Sequence, residues 1–364
     1  MVSEQTWPSV SVVMPVLNEE RHLAAAVGRV LAQDYPGSLQ VVLAVGPGRD
    51  HTQEVADGLA AADPRVRVVA NPSGRTPDGL NAAIAGSDSQ IVVRVDGHAE
   101  LADGYVRTAV AELLAVDADN VGGIMDAQGV TDFEKAVACA MRSKIGVGNA
   151  RFHVGGGAGP ADTVYLGVFK RSTLVAVGGY DSHFARAQDW EMNHRIRQAG
   201  GLVWFTPDLT VTYRPRGTLK ALARQYFNYG RWRRVVAARH EGTINLRYLA
   251  PPAMVAGTCA ATLLGAVWRP ALAVPLAYGA GVVAGGLASS RGEAPGVRAR
   301  MPVVLATMHW CWGLGFLTSP KKLRDVRADL PDPPPLRGAV DADHAAADRG
   351  AATGADAGEG EAAR

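Results

Sequence analysis

The chain has 364 residues, 48% of them hydrophobic, and a net charge of +2. That length holds one large globular domain and a further segment, and so balanced a charge offers no field for a nucleic-acid partner. Three cysteines, Cys139, Cys259 and Cys311, with no Cys-x-x-Cys pair, exclude a disulfide framework and a cysteine zinc site and fit a reducing compartment. The opening MVSEQTWPSVSVVMPVLNEE shows no basic region followed by an apolar one, so no signal peptide is expected and the soluble part is expected to stay in the cytoplasm.

Val10 to Val16 reads as a short buried strand, rich in β-branched residues and closed by Pro15 and Asn18. Glu19 to Gln33 follows with helical spacing, its apolar stripe being Leu23, Val27, Val30 and Leu31. Leu39 to Val45 is a second strand. Gly46-Pro47-Gly48 breaks it, and Asp50 with Thr52 is placed to cap a helix that runs to Ala61. Val66 to Ala70 is a third strand, Pro77 to Ala85 a helix and Gln90 to Val95 a fourth strand. Strands alternating with helices at this interval imply an α/β fold with a mainly parallel sheet and helices on both faces. Ligands of such sheets sit beyond the carboxyl ends of the strands, here Pro15–Glu19, Gly46–Asp50 and Asp96–His98. Further on, Val164–Lys170 and Val203–Phe205 read as strands. Gly155-Gly156-Gly157 lacks the Gly-Lys-Ser/Thr of a phosphate loop and is expected as a loop beside the site.

Leu219 to His240 is a basic, aromatic helical stretch. Three uncharged or nearly uncharged runs follow, 249–268, 271–290 and 301–319, of 20, 20 and 19 residues. A membrane-spanning helix needs ~20 apolar residues to cross ~30 Å of hydrocarbon, so each is expected as a membrane helix. The expected organisation is thus an α/β domain over 1–240, including an interfacial helix over 219–240, a membrane region over 249–319 and a disordered tail over 331–364. Arg224, Arg231, Arg233, Arg234, Arg239 and Arg247 place the side before the first run in the cytoplasm, and Arg291, Arg298 and Arg300 agree. Lys321, Lys322, Arg324 and Arg327 do not: three full spans would put them outside, so either the third run is re-entrant or interfacial, or the bias fails here.

Three clusters carry chemistry. In VVRVDGHAEL a buried strand delivers Asp96 to the sheet edge, Gly97 permits a sharp turn and His98 follows; Asp96 and His98 can face one divalent cation, which would neutralise a diphosphate leaving group. In MPVLNEE, Pro15, Leu17, Asn18 and Glu19 follow the first strand, where a nucleotide base could lie on the backbone around Val16 and Leu17; Glu19 reads equally as a first-turn acid. In ARAQDWEMNHRIRQAGG, Asp189 stands at a helix start and can serve as a general base or as a plain N-cap. Near the membrane runs, Gln225, Tyr229 and Trp232 share a helical face and Arg231 lies among them, an arrangement that suits anionic head groups and equally a sugar with a lipid diphosphate.

Together these segments resemble the family 2 glycosyltransferases of the GT-A fold over about residues 9–235, and VRVDGH, DTVYLGVFKR, QDWEMNHRIR and QYFNYGRWR resemble the succinoglycan-type exopolysaccharide transferases. The resemblance implies an inverting transfer of a sugar from a nucleotide diphosphate sugar, with Pro15, Leu17, Asn18, Glu19, Asn81, Asp96, Gly97 and His98 at the donor. It implies Asp189 as base, and Gln188, Trp190, Gln225, Tyr229, Arg231 and Trp232 at the acceptor or interface. It implies Mn2+ or Mg2+ on Asp96 and His98, a lipid-linked glycan acceptor, membrane lipids as partners, and a multi-pass protein of the cytoplasmic membrane with its catalytic domain facing the cytoplasm. The sequence departs from the family pattern at His98, where a second Asp is usual, at Gln188, where Glu is usual, and at Val45-Gly46, where many relatives carry an acid. Two alternatives stay open: a soluble small acceptor, or a catalytically idle membrane scaffold of the same fold.

Overall fold

A computed structural model describes residues 6–324; the expected disordered tail over 331–364 lies outside the described residues. Nine strands form one sheet: β1 (Val10–Val16), β2 (Leu39–Val45), β3 (Val66–Ala70), β4 (Ile91–Arg94), β5 (Glu100–Leu101), β6 (Asn120–Ala127), β7 (Gly159–Pro160), β8 (Tyr165–Lys170) and β9 (Val203–Tyr213). Their order is β3-β2-β1-β4-β8-β6-β9-β5, with β7 also on β9. The first four strands pair in parallel, as right-handed β-α-β units require. The parallel expectation fails at β8, which runs antiparallel between β4 and β6, and at β5 and β7, which run antiparallel to β9. β8 therefore starts at the carboxyl edge and runs back from it.

Alternation along β1 builds two cores. Val10, Val12, Met14 and Val16 face the helices Leu23–Leu31, Thr52–Ala62 and Tyr105–Ala115, while Val13 faces Thr76–Ala85 and Gln188–Gln198. Each fully buried Val or Leu side chain contributes about 1.5–3 kcal/mol. The short strand expected over Val203–Phe205 continues to Tyr213 because β9 slips past a bulge and pairs again from Thr210 with Ile124. Gly123 makes that possible, since any Cβ there would collide with the Leu209 backbone.

The C-terminal layer consists of the helices Leu219–Arg239, Leu246–Leu264, Ala273–Ser289 and Pro295–Leu317. Among the described residues, one segment, Arg269–Ser289, is long and apolar enough to cross a membrane. Three such helices are therefore not found. The third apolar run belongs to Pro295–Leu317, whose Val297, Met301, Val304, Leu305 and Met308 are buried against Ala136–Met141 and against Leu222 and Tyr226. Its hydrophobicity serves protein packing along that face.

Candidate active site

Three loops meet at the carboxyl edge. After β1, Asn18 takes a left-handed backbone with φ 59°, a conformation asparagine tolerates better than most residues, and its Oδ1 accepts the Arg49 N–H at 2.7 Å. The Glu19 N–H donates to Thr52 Oγ1 at 2.7 Å, the Glu20 N–H to Asp50 Oδ2 at 3.2 Å, and the His51 N–H to Glu20 Oε2 at 3.0 Å. Thr52 Oγ1 donates to Asp50 Oδ1 at 2.6 Å, which, with the backbone donors around it, holds the Asp50 carboxyl below the usual carboxylate range. Asp50 and Thr52, expected as a helix cap, thus chiefly fasten the loop after β1 to the loop after β2. Leu17 is 40% exposed beside Gly46 and Gly74. A Cβ at Gly46 would lie 3.0 Å from Gly74 Cα and 3.2 Å from Leu17 Cδ1, so the position where relatives carry an acid is closed to a larger side chain unless its neighbours move.

The third loop is Asp96-Gly97-His98. A Cβ at Gly97 would stand 3.1 Å from both Glu19 Cγ and Val16 Cγ1, so glycine is what lets the loops approach. His98 Nδ1 and Glu19 Oε1 are 2.9 Å apart. The hydrogen bond to Glu19 raises the His98 pKa, burial opposes the rise, and the charges of Glu19 and Asp96 add to it. Asp96 Oδ1 accepts from Arg94 Nη2 at 3.0 Å, and Arg94 Nη1 contacts Asp189 Oδ1. One guanidinium, its side chain 5% exposed, therefore bridges the two carboxylates on which the chemistry was expected to rest. Burial works against the Arg94 charge, but the Asp96 carboxylate and the neighbouring tyrosines outweigh it and shift the group upward. Arg94 was not singled out from the sequence. The available signal was a full charge inside the apolar run IVVRV.

Among the described residues no group of three or more His, Cys, Asp or Glu side chains gathers to hold a metal. Asp96 and His98 are the two side chains of this loop that could ligate a cation. With Nδ1 on the Glu19 carboxylate, the His98 ring has Nε2 left for coordination, the arrangement in which an outer carboxylate orients a ligating imidazole. Two protein ligands suit a cation whose remaining positions go to phosphate oxygens and water.

Asp189 occupies the first turn of Gln188–Gln198, where the helix dipole favours an anion. It is not the N-cap; that position is Ala187, with φ 62°. Glu191, 1% exposed, accepts a fork of two bonds from Arg195, each 2.7 Å, and lies 3.1 Å from His240 Nε2. Arg195 also donates to the carbonyls of Val177 and Gly179, which fixes this helix against the loop before it. Asn81 departs from the expected donor contact: it is 1% exposed, and its amide donates to Tyr180 O at 2.7 Å and accepts the Tyr180 N–H at 2.8 Å. Both ends are occupied, so its described role is to hold that loop.

The interfacial residues fall into separate groups. Gln225 donates to Tyr213 Oη at 2.7 Å and to Tyr229 Oη at 3.0 Å. Trp232 packs against Phe184 and His183. Arg231 lies over Phe227 and Arg234 over Phe316. Arg233, counted among the basic residues before the first apolar run, is buried between the rings of Trp190 and Tyr248, 4.0 and 3.8 Å from their centres. Gln188 and Trp190 are half-buried beside Asp189. The described hydrogen bonds and ion pairs link neither Gln225–Tyr229 nor Trp232 to Asp189.

Residues 11–172 match the family model described as Glycosyl transferase family 2. The chain is 32% identical to the Succinoglycan biosynthesis protein ExoA of Rhizobium meliloti (strain 1021), over 86% of this chain and 95% of that protein. It is 24% identical to Glycosyltransferase AglE of Haloferax volcanii, over 61% of this chain and 72% of that one. In fold it is similar to the mannosyltransferase PcManGT from Pyrobaculum calidifontis, solved in complex with GDP-Man and Mn2+, with a TM-score of 0.57 at 20% identity, covering 84% of this chain and 86% of that one. The chain belongs to glycosyltransferase family 2 and is a glycosyltransferase of the type found in succinoglycan biosynthesis.

Proposed function

We propose that the enzyme transfers a sugar, with inversion, from a nucleotide diphosphate sugar to a membrane-borne, lipid-linked glycan of an exopolysaccharide or cell-envelope polysaccharide. The observation that supports this reading is the Arg94 guanidinium, which bridges Asp96, taken as the donor-side carboxylate, and Asp189, taken as the acceptor-side one. Leu17, Gly46 and Gly74 offer a shelf for the base. Asp96 and His98 would hold a divalent cation, Mn2+ or Mg2+, which when bound neutralises the diphosphate of the donor.

Asp189 takes the proton from the acceptor hydroxyl as that oxygen bonds to the anomeric carbon. The bond from that carbon to the diphosphate oxygen breaks at the same time, and the nucleoside diphosphate leaves with the electron pair. Arg94 holds the base at a fixed place relative to Asp96. The interfacial helix Leu219–Arg239 and the apolar helices behind it would bring a lipid-borne acceptor to this edge from the cytoplasmic side of the membrane.

In membranes supplied with a panel of labelled nucleotide-sugars, Asp189→Asn is expected to abolish transfer into lipid while the donor still raises the melting temperature. Loss of donor binding together with transfer would remove Asp189 from the role of base. Chelation of divalent cations is expected to stop transfer and to shrink the donor-induced thermal shift; undiminished activity in chelator sinks the metal assignment.

A further inference from the structure

The helices Leu246–Leu264 and Ala273–Ser289 form a hairpin closed by a short turn at Arg269–Leu272. The helix Pro295–Leu317 meets both legs near their base, and meets the second leg again at Tyr278, whose ring centre lies 6.3 Å from that of Trp310 and whose Oη is 3.4 Å from His309 Nδ1. Its early part lies on the second leg's last turns, where a Cβ at Gly286 would stand 3.3–3.4 Å from Pro302 N, Leu305 and Met301. Its late part lies on the first leg's early turns, where a Cβ at Gly313 would be 2.6 Å from Pro251 O and 2.7 Å from Val255. The two crossings are about 17 Å apart along the helix at ~1.5 Å per residue. Along its length the helix is packed on the domain, Val297 to Met308 with Ala136–Met141 and Trp312 and Gly315 against Gly230 and Phe227, so it lies as a bar between that domain and the hairpin.

Beyond the bar the hairpin is bare and apolar. Leu263, Val267, Trp268 and Leu276 are 78%, 86%, 56% and 71% exposed. Between Tyr248 and Ser290 the sole Asp, Glu, Lys or Arg is Arg269, at the turn. The legs, of 19 and 17 residues, measure about 28 and 26 Å at ~1.5 Å per residue, near the ~30 Å of a hydrocarbon core. Within the bar, Val303, Leu314 and Leu317 stay exposed, with Thr307 and Trp310 on the same stripe, opposite the face packed on the protein.

We infer that the hairpin crosses the bilayer as two legs while Pro295–Leu317 lies flat in the near leaflet, its outer stripe in the acyl boundary. This rests on the membrane reading given under Proposed function and specifies how the membrane is engaged. The chain reaches Arg269 only through the first leg, so if Arg269–Ser289 crosses, Leu246–Leu264 crosses too. Trp268 and Arg269 then sit at the far interface, where both residue types anchor. Arg239, Arg247, Arg291, Arg298, Arg300, Lys321, Lys322 and Arg324 all fall on the near side, so the positive charge that three spans would strand outside stays within.

Single cysteines at the turn (Arg269→Cys), between the second leg and the bar (Arg291→Cys) and after the bar (Lys321→Cys), in full-length protein with Cys139, Cys259 and Cys311 replaced by Ala, test the arrangement. A membrane-impermeant maleimide is expected to label Arg269→Cys in right-side-out vesicles only, and the other two in inverted vesicles only. Labelling of Lys321→Cys from outside would show a third span and overturn the bar. Labelling of Arg269→Cys from inside, or only after detergent, would overturn the two crossings. Sugar transfer into lipid is measured in the same vesicles. Its loss with the labelling pattern intact sinks the acceptor reading alone; a wrong pattern with transfer intact sinks the topology alone.

Discussion

Arg94 at the sheet edge and Arg233 in the helical layer are both almost fully buried, and they are neutralised by different means. Arg94 spans two carboxylates, and its charge is reinforced despite burial. Arg233 has no carboxylate among its described contacts. Two aromatic faces enclose it, one hydrogen bond runs to the Thr243 carbonyl, Nε and Nη1 have no described hydrogen-bond partner, and burial lowers its pKa to about 10. Carboxylates fix the direction of charge and can be released to a ligand or a proton. Ring faces fix position and have nothing to release. The sheet edge is built for chemistry and the helical layer for holding the helix that carries Asp189.

The widest gap between the two should come from Arg94→Met. Transfer is expected to fall by about 100-fold or more, some 2.7 kcal/mol in the barrier, measured as the initial rate of sugar incorporation. A near wild-type rate would make the bridge incidental. Arg94→Lys keeps the charge but cannot fork to two carboxylates, and a loss of about 10-fold is expected. Gly97→Ala adds a Cβ against Glu19 and Val16; the donor KM should rise about 10-fold with kcat nearly unchanged, and an equal loss in both would place the strain at the reacting centre. On the other side, Arg233→Lys should lower stability by about 1–2 kcal/mol in thermal unfolding and leave transfer within about 3-fold. A large loss of transfer without a loss of stability would erase the contrast. The smallest effect is a coupling of about 0.5–1 kcal/mol between Trp190→Leu and Arg233→Lys in a double-mutant cycle.

Much of the parallel half of the sheet was legible because strand patterning and turn residues are local. β1, β2 and β3 run as expected, and Asp96-Gly97-His98 falls at the edge where the alternation placed it. What was not legible depends on distant partners. Arg94 was passed over because the partner that gives it a role, Asp189, lies far along the chain. Thr52 and Asp50 looked like a cap because their partners, the N–H groups of Glu19 and Glu20, belong to another loop. The direction of β8 is set by neighbours on both sides. The run 301–319 was read as a membrane helix because composition does not tell an apolar protein face from lipid, and one side of it is packed on the protein while the other is exposed.

The helices Leu219–Arg239 and Pro295–Leu317 are notched into one another. Gly230 admits the Trp312 backbone and Gly315 admits the Phe227 backbone, and a side chain at either position would collide. The hydrophobic C-terminal part is consequently no detachable tail. A chain cut after Arg239 would uncover Leu222 and Tyr226 together with the buried face of Ala136–Met141, a continuous apolar surface that Val297, Met301, Val304 and Met308 now cover. Such a truncation should aggregate rather than yield a soluble transferase. Production of an active catalytic domain would require keeping the bar helix, or replacing the surface beneath it with polar residues.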